Sequence, residues 1–418
     1  MVDKHIKILY IGIVLRRDWM GGEPIIAKET IDELKKIGYE VDSVFYGQNK
    51  NSNIYKMIYL IYSALRTLFL KTDTLRPAVS YYKKIIKLKN PDIIITQYDY
   101  DTSIIEAAKR ENKKIIIYTH IWWPICPKIN MFTYDKMICN GYLHKNCEKC
   151  IINEYNTVTK SGKFNTKLLS YIRKIITTLF LRNSNIKVKM KNRINKLNSS
   201  DLIIVYSEQM KNLFITNGIN GGKISILSNG VNCEQFPYNR YERQKIALYA
   251  GGNSELKGYK FFIKIAENIK KAYPDIRFVA AGQFSNLDKY TKYVEYPGIL
   301  ERNKLIELMC MSRVTVVPSI WNEPFSMVTI ESMASGTPVV AFDVGILKEI
   351  IGNEVGGFIV PIGDINQATQ KIIDLLTNDN LFEKMSKNAR NRVCEIYSNT
   401  HRISSLDRII KTLIDSNN

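Results

Sequence analysis

Two patterns alternate along this chain: short unbroken aliphatic runs, and longer stretches whose apolar positions fall three and four residues apart. Residues 6–14 read as a buried strand, 24–37 as a helix stopped by Gly38, and 41–45 as the next strand. Runs at 92–96, 114–118 and 202–205 are further strands, separated by helical patterns such as 102–110 and 207–214. After a last run at 224–227, the turn Ser228-Asn229-Gly230 and the polar stretch 232–243 read as a linker. A second alternation follows. Strands are predicted at 246–250, 277–280, 314–317, 338–342 and 357–360, and helices at 259–271, 303–311, 365–376, 381–396 and 400–414. Strands that alternate with helices of this length imply parallel sheets covered on both faces, so the pattern predicts two doubly wound α/β domains. Residues 1–232 make the first and 233–399 the second.

Composition narrows the partners. A chain of 418 residues is too long for one ordinary core, and 45% hydrophobic content argues for a globular protein. Sixty Lys and Arg face forty Asp and Glu, a formal net charge of +20 that favours anionic partners: nucleotide phosphates, lipid head groups or nucleic acid. No signal peptide is expected, because residues 1–5 lead directly into the first strand without a cleavage site. The longest apolar stretch, 57–70, is interrupted by Arg66 and is shorter than the ~20 residues a span requires. A cytoplasmic protein without a membrane span is expected.

The most informative segment is Asn322-Glu323-Pro324-Phe325-Ser326, continuing through Glu331 to Gly336-Thr337-Pro338. Pro324 is expected at the first helical position, with Glu323 on the loop before it and Glu331 inside the helix. Eight residues of helical rise would separate the two carboxylates by about 12 Å, too far for an acid–base couple. They suit hydroxyls at the two ends of one elongated ligand, with a helix N-terminus between them facing an anionic middle. A nucleotide-sugar has that form. The strand, loop, helix, Gly-Pro turn and strand place this pair at the carboxyl end of a strand, where open α/β sheets bind ligands.

This block resembles the signature of family 4 retaining glycosyltransferases. The resemblance implies the GT-B fold: two Rossmann-like doubly wound domains facing across a cleft, with the final helix, 400–418, returning to the first. It also implies a glycine-rich loop after the first strand, where Gly21 and Gly22 stand, and a loop after the first strand of the second domain. That second loop is Gly251-Gly252-Asn253-Ser254-Glu255-Leu256-Lys257-Gly258. A lysine on such a loop can neutralise a diphosphate leaving group without a metal. The family commonly has an arginine where this chain has Gly252. Asn229-Gly230-Val231-Asn232 matches an interdomain segment of the family, and Gly282-Gln283 a loop lining its nucleotide site. Residues 295–298 then fall near the base-binding wall. Under this reading Lys257 faces the diphosphate, Glu323 the donor sugar hydroxyls and Glu331 the ribose. Amides around Pro324, Phe325 and Ser326 complete the phosphate cradle, and His120, after the strand 114–118, positions sugar and acceptor. The reaction implied is hexosyl transfer from a nucleotide-diphospho-sugar to a lipid-linked, polysaccharide or glycan acceptor with retention of configuration.

Two features lie outside that scheme. Four of the seven cysteines, Cys126, Cys139, Cys147 and Cys150, cluster with spacing C-x12-C-x7-C-x2-C around His144. Without a secretion signal, thiolate ligation of a structural zinc is a better reading than disulfides; an iron–sulfur cluster has less support because the spacing matches none of its common patterns, and reduced buried thiols are the other alternative. Cys233, Cys310 and Cys394 read as isolated packing residues. Residues 160–197 combine an apolar helical face with Lys187, Lys189, Lys191, Arg193 and Lys196, which suits a peripheral membrane surface on the inner face and a lipid-linked acceptor. Two other classes compete: a catalytically idle glycan- or nucleotide-binding relative, and a basic zinc-containing nucleic-acid binder. The latter is disfavoured because the basic residues spread over the whole chain and no helix-turn-helix, RRM or C2H2 pattern occurs.

Overall fold

The computed structural model describes residues 6–13, 22–46, 74, 76–97, 102–143, 147–151, 185–238, 240–284 and 292–415. The chain divides into two compact units, Met1–Leu227 with Leu406–Asn418, and Ser228–Ser405.

The first unit is built from β1 (Lys7–Ile13), α1 (Gly22–Lys36), β2 (Glu40–Tyr46), α2 (Arg76–Lys89), β3 (Ile93–Thr96), α3 (Ser103–Arg110), β4 (Lys114–Tyr118), α4 (Asn185–Leu197), β5 (Leu202–Val205), α5 (Glu208–Thr216) and β6 (Ile224–Ile226). Its six strands, ordered β2-β1-β3-β4-β5-β6, pair in parallel throughout. The aliphatic runs Ile93-Ile94-Ile95 and Ile115-Ile116-Ile117 are almost fully buried, as strands covered by helices on both faces must be. The strand order reverses between β1 and β3.

The second unit contains β7 (Gln244–Ala250), α6 (Tyr259–Lys270), β8 (Arg277–Ala281), β9 (Glu295–Gly298), α7 (Arg302–Met311), β10 (Ser312–Val317), α8 (Met327–Ala334), β11 (Val339–Phe342), α9 (Leu347–Ile351), β12 (Gly357–Val360), α10 (Ile365–Thr377), α11 (Asp379–Ile396) and the start of α12 (Asn399–Asp415). Its parallel sheet runs β12-β11-β10-β7-β8-β9, the arrangement of a dinucleotide-binding Rossmann sheet with its switch point between β7 and β10. Phe262, Phe278, Val314, Val340 and Ile372 form the centre of its core. From Leu406 onward α12 belongs to the first unit, where Asp407 accepts a 2.7 Å hydrogen bond from the Tyr39 hydroxyl.

Three expectations change. The stretch expected as a linker is folded into the second unit: Val231 donates to Tyr397 O at 2.8 Å and accepts from Asn399 N at 2.9 Å. Arg390 donates to Phe236 O at 2.8 Å and to Cys233 O at 3.1 Å. The chain therefore divides after Leu227, not after Asn232. Cys233 and Cys394 are not isolated packing residues but a disulfide, with Cα atoms 6.0 Å apart. Lastly, α8 starts at Met327 and not at Pro324. Ser326 is its N-cap, its Oγ accepting from Thr329 N at 3.4 Å. A serine cap satisfies an orphan N–H, which a proline at the first helical position does not. The helix ends as expected: Gly336 N donates to Met333 O at 2.9 Å and Thr337 N to Ser332 O at 2.9 Å, a Schellman closure.

Candidate active site

The loops that leave β7 and β10 are joined at the switch point of the second unit. Gly258 has φ +76°, and a Cβ there would lie 1.7 Å from Pro318 O, so only glycine lets the two loops approach this closely. Ile320 N donates to Leu256 O at 3.0 Å across the same seam. On its other side the β7 loop meets the loop after β8, where Asn253 N donates to Gln283 O at 3.1 Å. The predicted residues Gly251, Gly252, Gly282 and Gln283 are thus brought together. Gly252 has φ +60°, and its Cβ would stand 2.8 Å from Gln283 O. The absence of an arginine at this position has a backbone cause.

This seam carries Lys257 to Glu323. Lys257 Nζ lies 2.6 Å from Glu323 Oε1, and the Trp321 indole N–H donates to Oε2 at 2.8 Å. The Glu323 side chain is 1% exposed against 38% for Lys257. A carboxylate removed from water this completely is tolerated only when paired and hydrogen-bonded. The ammonium also sits 5.2 Å from the centroid of the Trp321 ring, a cation–π contact. Each oxygen of Glu323 has further acceptor capacity, so the pair can still take a hydroxyl donor. Burial and the Glu323 charge hold the nearby Tyr249 phenol above its ordinary range; its hydroxyl donates to Gly252 O at 3.0 Å.

Glu331 lies in α8, 7% exposed, and pairs with Arg302 Nη1 at 2.7 Å. Because only residues from 327 onward are helical, helical rise accounts for about 6 Å of the path between the two glutamates, from Met327 to Glu331, and non-helical backbone for the rest. Pro324 has no N–H to offer a phosphate; the amides available at this end are those of Phe325, Ser326 and the first turn of α8. Buried Phe325 packs edge-on against Tyr397. Sequence reasoning missed Trp321 and Arg302. Adjacency to Glu323 was the only signal for the first, and nothing marked the second.

In the first unit, Gly22 opens α1, while Gly21 lies outside the described residues. His120 follows β4, is 8% exposed, and its Nδ1 pairs with the Tyr206 hydroxyl at the end of β5. It also stacks on Tyr118, with planes 15° apart. Tyr206 was not foreseen. Gln97 is fully buried at the carboxyl end of β3, and among the described residues neither of its side-chain amide atoms has a hydrogen-bond partner.

Beyond His120, Cys126, Cys139, Cys147 and Cys150 line one small cavity with Ile125 and Tyr142. Burial raises the Cys126 thiol, and burial with the three neighbouring thiols pushes Cys147 up to about 12. Among the described residues, no three His, Cys, Asp or Glu side chains already stand together as an ion would hold them. His144, most of 160–197 and the stretch 57–70 lie outside the described residues. No helix among the described residues is long and apolar enough to cross a membrane.

Two parallel Rossmann-like sheets, one in each unit, give the chain the GT-B fold. A family model described as "Glycosyltransferase Family 4" matches residues 20–235, more than half of the chain, and one described as "Glycosyl transferases group 1" matches 232–392. The chain belongs to glycosyltransferase family 4. "Putative glycosyltransferase YtcC" of Bacillus subtilis strain 168 is 30% identical over 193 residues, covering 42% of this chain and 47% of that protein. The chain spans about half the length of the curated relatives it matches. In fold it is similar to sucrose-phosphate synthase from Thermosynechococcus elongatus (TM-score 0.68, 17% identity, 98% of this chain and 100% of that one). It is similar also to Anabaena HepE in complex with UDP and glucose (TM-score 0.64, 13% identity, 98% and 100%).

Proposed function

We propose that the chain transfers a hexose from a nucleotide-diphospho-sugar to a polysaccharide, glycan or lipid-linked acceptor, with retention of anomeric configuration. The observation that carries this reading is the Lys257–Glu323 pair at the switch point of the second sheet, where a Rossmann sheet binds its nucleotide. Lys257 neutralises the departing diphosphate, and Glu323 accepts hydroxyls of the sugar. The bond from the anomeric carbon to the diphosphate oxygen breaks and a bond to the acceptor oxygen forms on the same face. The acceptor proton passes to the diphosphate. Glu331 with Arg302 takes the ribose end, the N-terminus of α8 the phosphates, and His120 orients the sugar. The charge of +20 and the basic segment 160–197 support an anionic, lipid-linked acceptor met at the inner face of a membrane. Gly252, in place of an arginine, favours the second reading, a catalytically idle relative.

Incubation with a panel of nucleotide-sugars, read by mass spectrometry of released nucleotide and product, tests this. Donor turnover that depends on Lys257 and Glu323 supports transfer. Nucleotide-sugar binding without turnover favours the idle relative, and neither binding nor turnover rejects both.

A further inference from the structure

We infer that Cys126, Cys139, Cys147 and Cys150 are the four ligands of one structural zinc ion that ties residues 126–139 to the helical turn 147–151 within the first unit. The site is independent of sugar transfer and rests on no part of the donor machinery.

Three observations converge on it. The four side chains line the same cavity, and all four are free of disulfides. Cys147 and Cys150 stand three apart on one helical turn, 147–151, and therefore on one face. A backbone amide also points at sulfur: that of Gly141 donates to Cys139 Sγ at 3.4 Å. Amide donors stabilise a thiolate, the form that binds metal, and such contacts fix a ligand's direction.

The backbone supplies the third observation. Ile129, Met131 and Lys136 have φ of 66°, 51° and 63°, three of the six described non-glycine residues with positive φ. Such residues cost on the order of 1–3 kcal/mol each and persist only where the surroundings over-determine them. Here the β-pairing among the described residues is one isolated bridge, Phe132 with Ile138, and the rest of the backbone closes in turns, with Cys139 N donating to Met131 O at 2.8 Å and Tyr142 N to Ile125 O at 3.1 Å. The segment is attached by Asn217 Nδ2, which donates to Asn140 O at 2.8 Å, and by Arg193, which donates to Trp123 O. An irregular segment that turns its cysteines into one cavity is of the kind that a metal cross-links. Four sulfur donors with no oxygen donor suit zinc or an iron–sulfur cluster, and the spacing C-x12-C-x7-C-x2-C matches none of the common iron–sulfur patterns, which favours zinc in a closed tetrahedral site. Binding draws the sulfurs to about 2.3 Å from the ion as their protons leave.

The test is metal analysis of the full-length protein purified without added metal or chelator. About one zinc per chain is expected, retained in Cys310→Ser and lost in Cys139→Ser and Cys147→Ser. Cys310 is buried elsewhere and serves as the control. Should the variants fail to fold, cobalt-loaded wild-type protein gives an independent readout, the intense visible bands of tetrahedral cobalt thiolate. Wild-type protein without zinc, iron in its place, or a disulfide among the four cysteines would overturn the assignment.

Discussion

Lys257 Nζ and Glu323 Oε1 meet at 2.6 Å across 66 residues of sequence, and the glutamate is sealed from solvent while the lysine is not. The positive end is thus the one a ligand reaches first. Lys257→Ala and Glu323→Gln should each lower kcat for donor turnover on the order of 10²–10³-fold, the scale for removing one preorganised electrostatic group. The KM for donor should change less. Steady-state kinetics with both variants checks this, and turnover within a few-fold of wild type would reject the site.

Trp321 is a positioning residue for that pair. Its N–H holds Glu323 Oε2 at 2.8 Å and its ring lies under the Lys257 ammonium. Trp321→Phe keeps a ring and removes the donor to a charged acceptor, about 1.5–3 kcal/mol of hydrogen bond. A fall of about 10-fold or more in kcat/KM is expected. Trp321→Ala, which also removes the ring, should fall further; equal activity in the two variants would mean that the ring contributes nothing.

The second sheet was legible because its strands are buried on both faces and so read as aliphatic runs; Val339–Phe342 and Gly357–Val360 needed no more than that. β9 was not, because Pro297 speaks against a strand and is tolerated here only at the sheet edge. Glu323, Glu331 and Lys257 could be picked out by their places on loops and a helix. Their actual partners could not: Arg302 reaches Glu331 across 29 residues by tertiary packing alone. At the start of α8 two local signals competed, Pro324 and Ser326, and the cap that satisfies a backbone N–H prevailed. The disulfide between Cys233 and Cys394 spans 161 residues, and no local pattern carries such a pairing.

Restoring the arginine that the family commonly has at position 252 should damage this chain. The backbone there has φ +60° and a Cβ would meet Gln283 O at 2.8 Å. Gly252→Arg is expected to cost roughly 1–3 kcal/mol from backbone strain alone and to lower donor turnover. Thermal melting and donor kinetics together check this. A variant as stable as the parent and more active would show that the β7 loop rearranges freely.

The disulfide joins the entry of the second unit to α11, beside Arg390, which holds the same segment through Cys233 O and Phe236 O. By chain entropy a loop of 161 residues gives up to about 5 kcal/mol, and typical measured values are about 2–4. Cys233→Ser or a strong thiol reductant should lower the melting temperature, whereas Cys310→Ser should leave the reductant response intact. Intact-mass measurement after thiol alkylation, with and without reduction, tests the pairing directly, and alkylation of Cys233 and Cys394 without reductant would refute it.

Glu106 links α3 to α4 through Lys196 and is also bound within α3 by Arg110 at 2.9 Å. The hydrogen bond from Lys196 outweighs the opposing effect of burial and, with Arg110, holds the Glu106 carboxyl below its ordinary 4.5. A depressed folded value means that the unfolded chain takes up this proton first. The contribution to stability is therefore complete above about pH 4.5 and is lost as the pH falls through the lowered folded value. Glu106→Gln removes the charge at every pH. The variant should be about 0.5–1 kcal/mol less stable at neutral pH, since the pair is partly exposed. That gap should close as both proteins are taken below the folded value. Denaturant unfolding of both proteins from pH 7 down to pH 3 measures this, and a gap of constant size would show that the loss comes from packing and not from the ion pair.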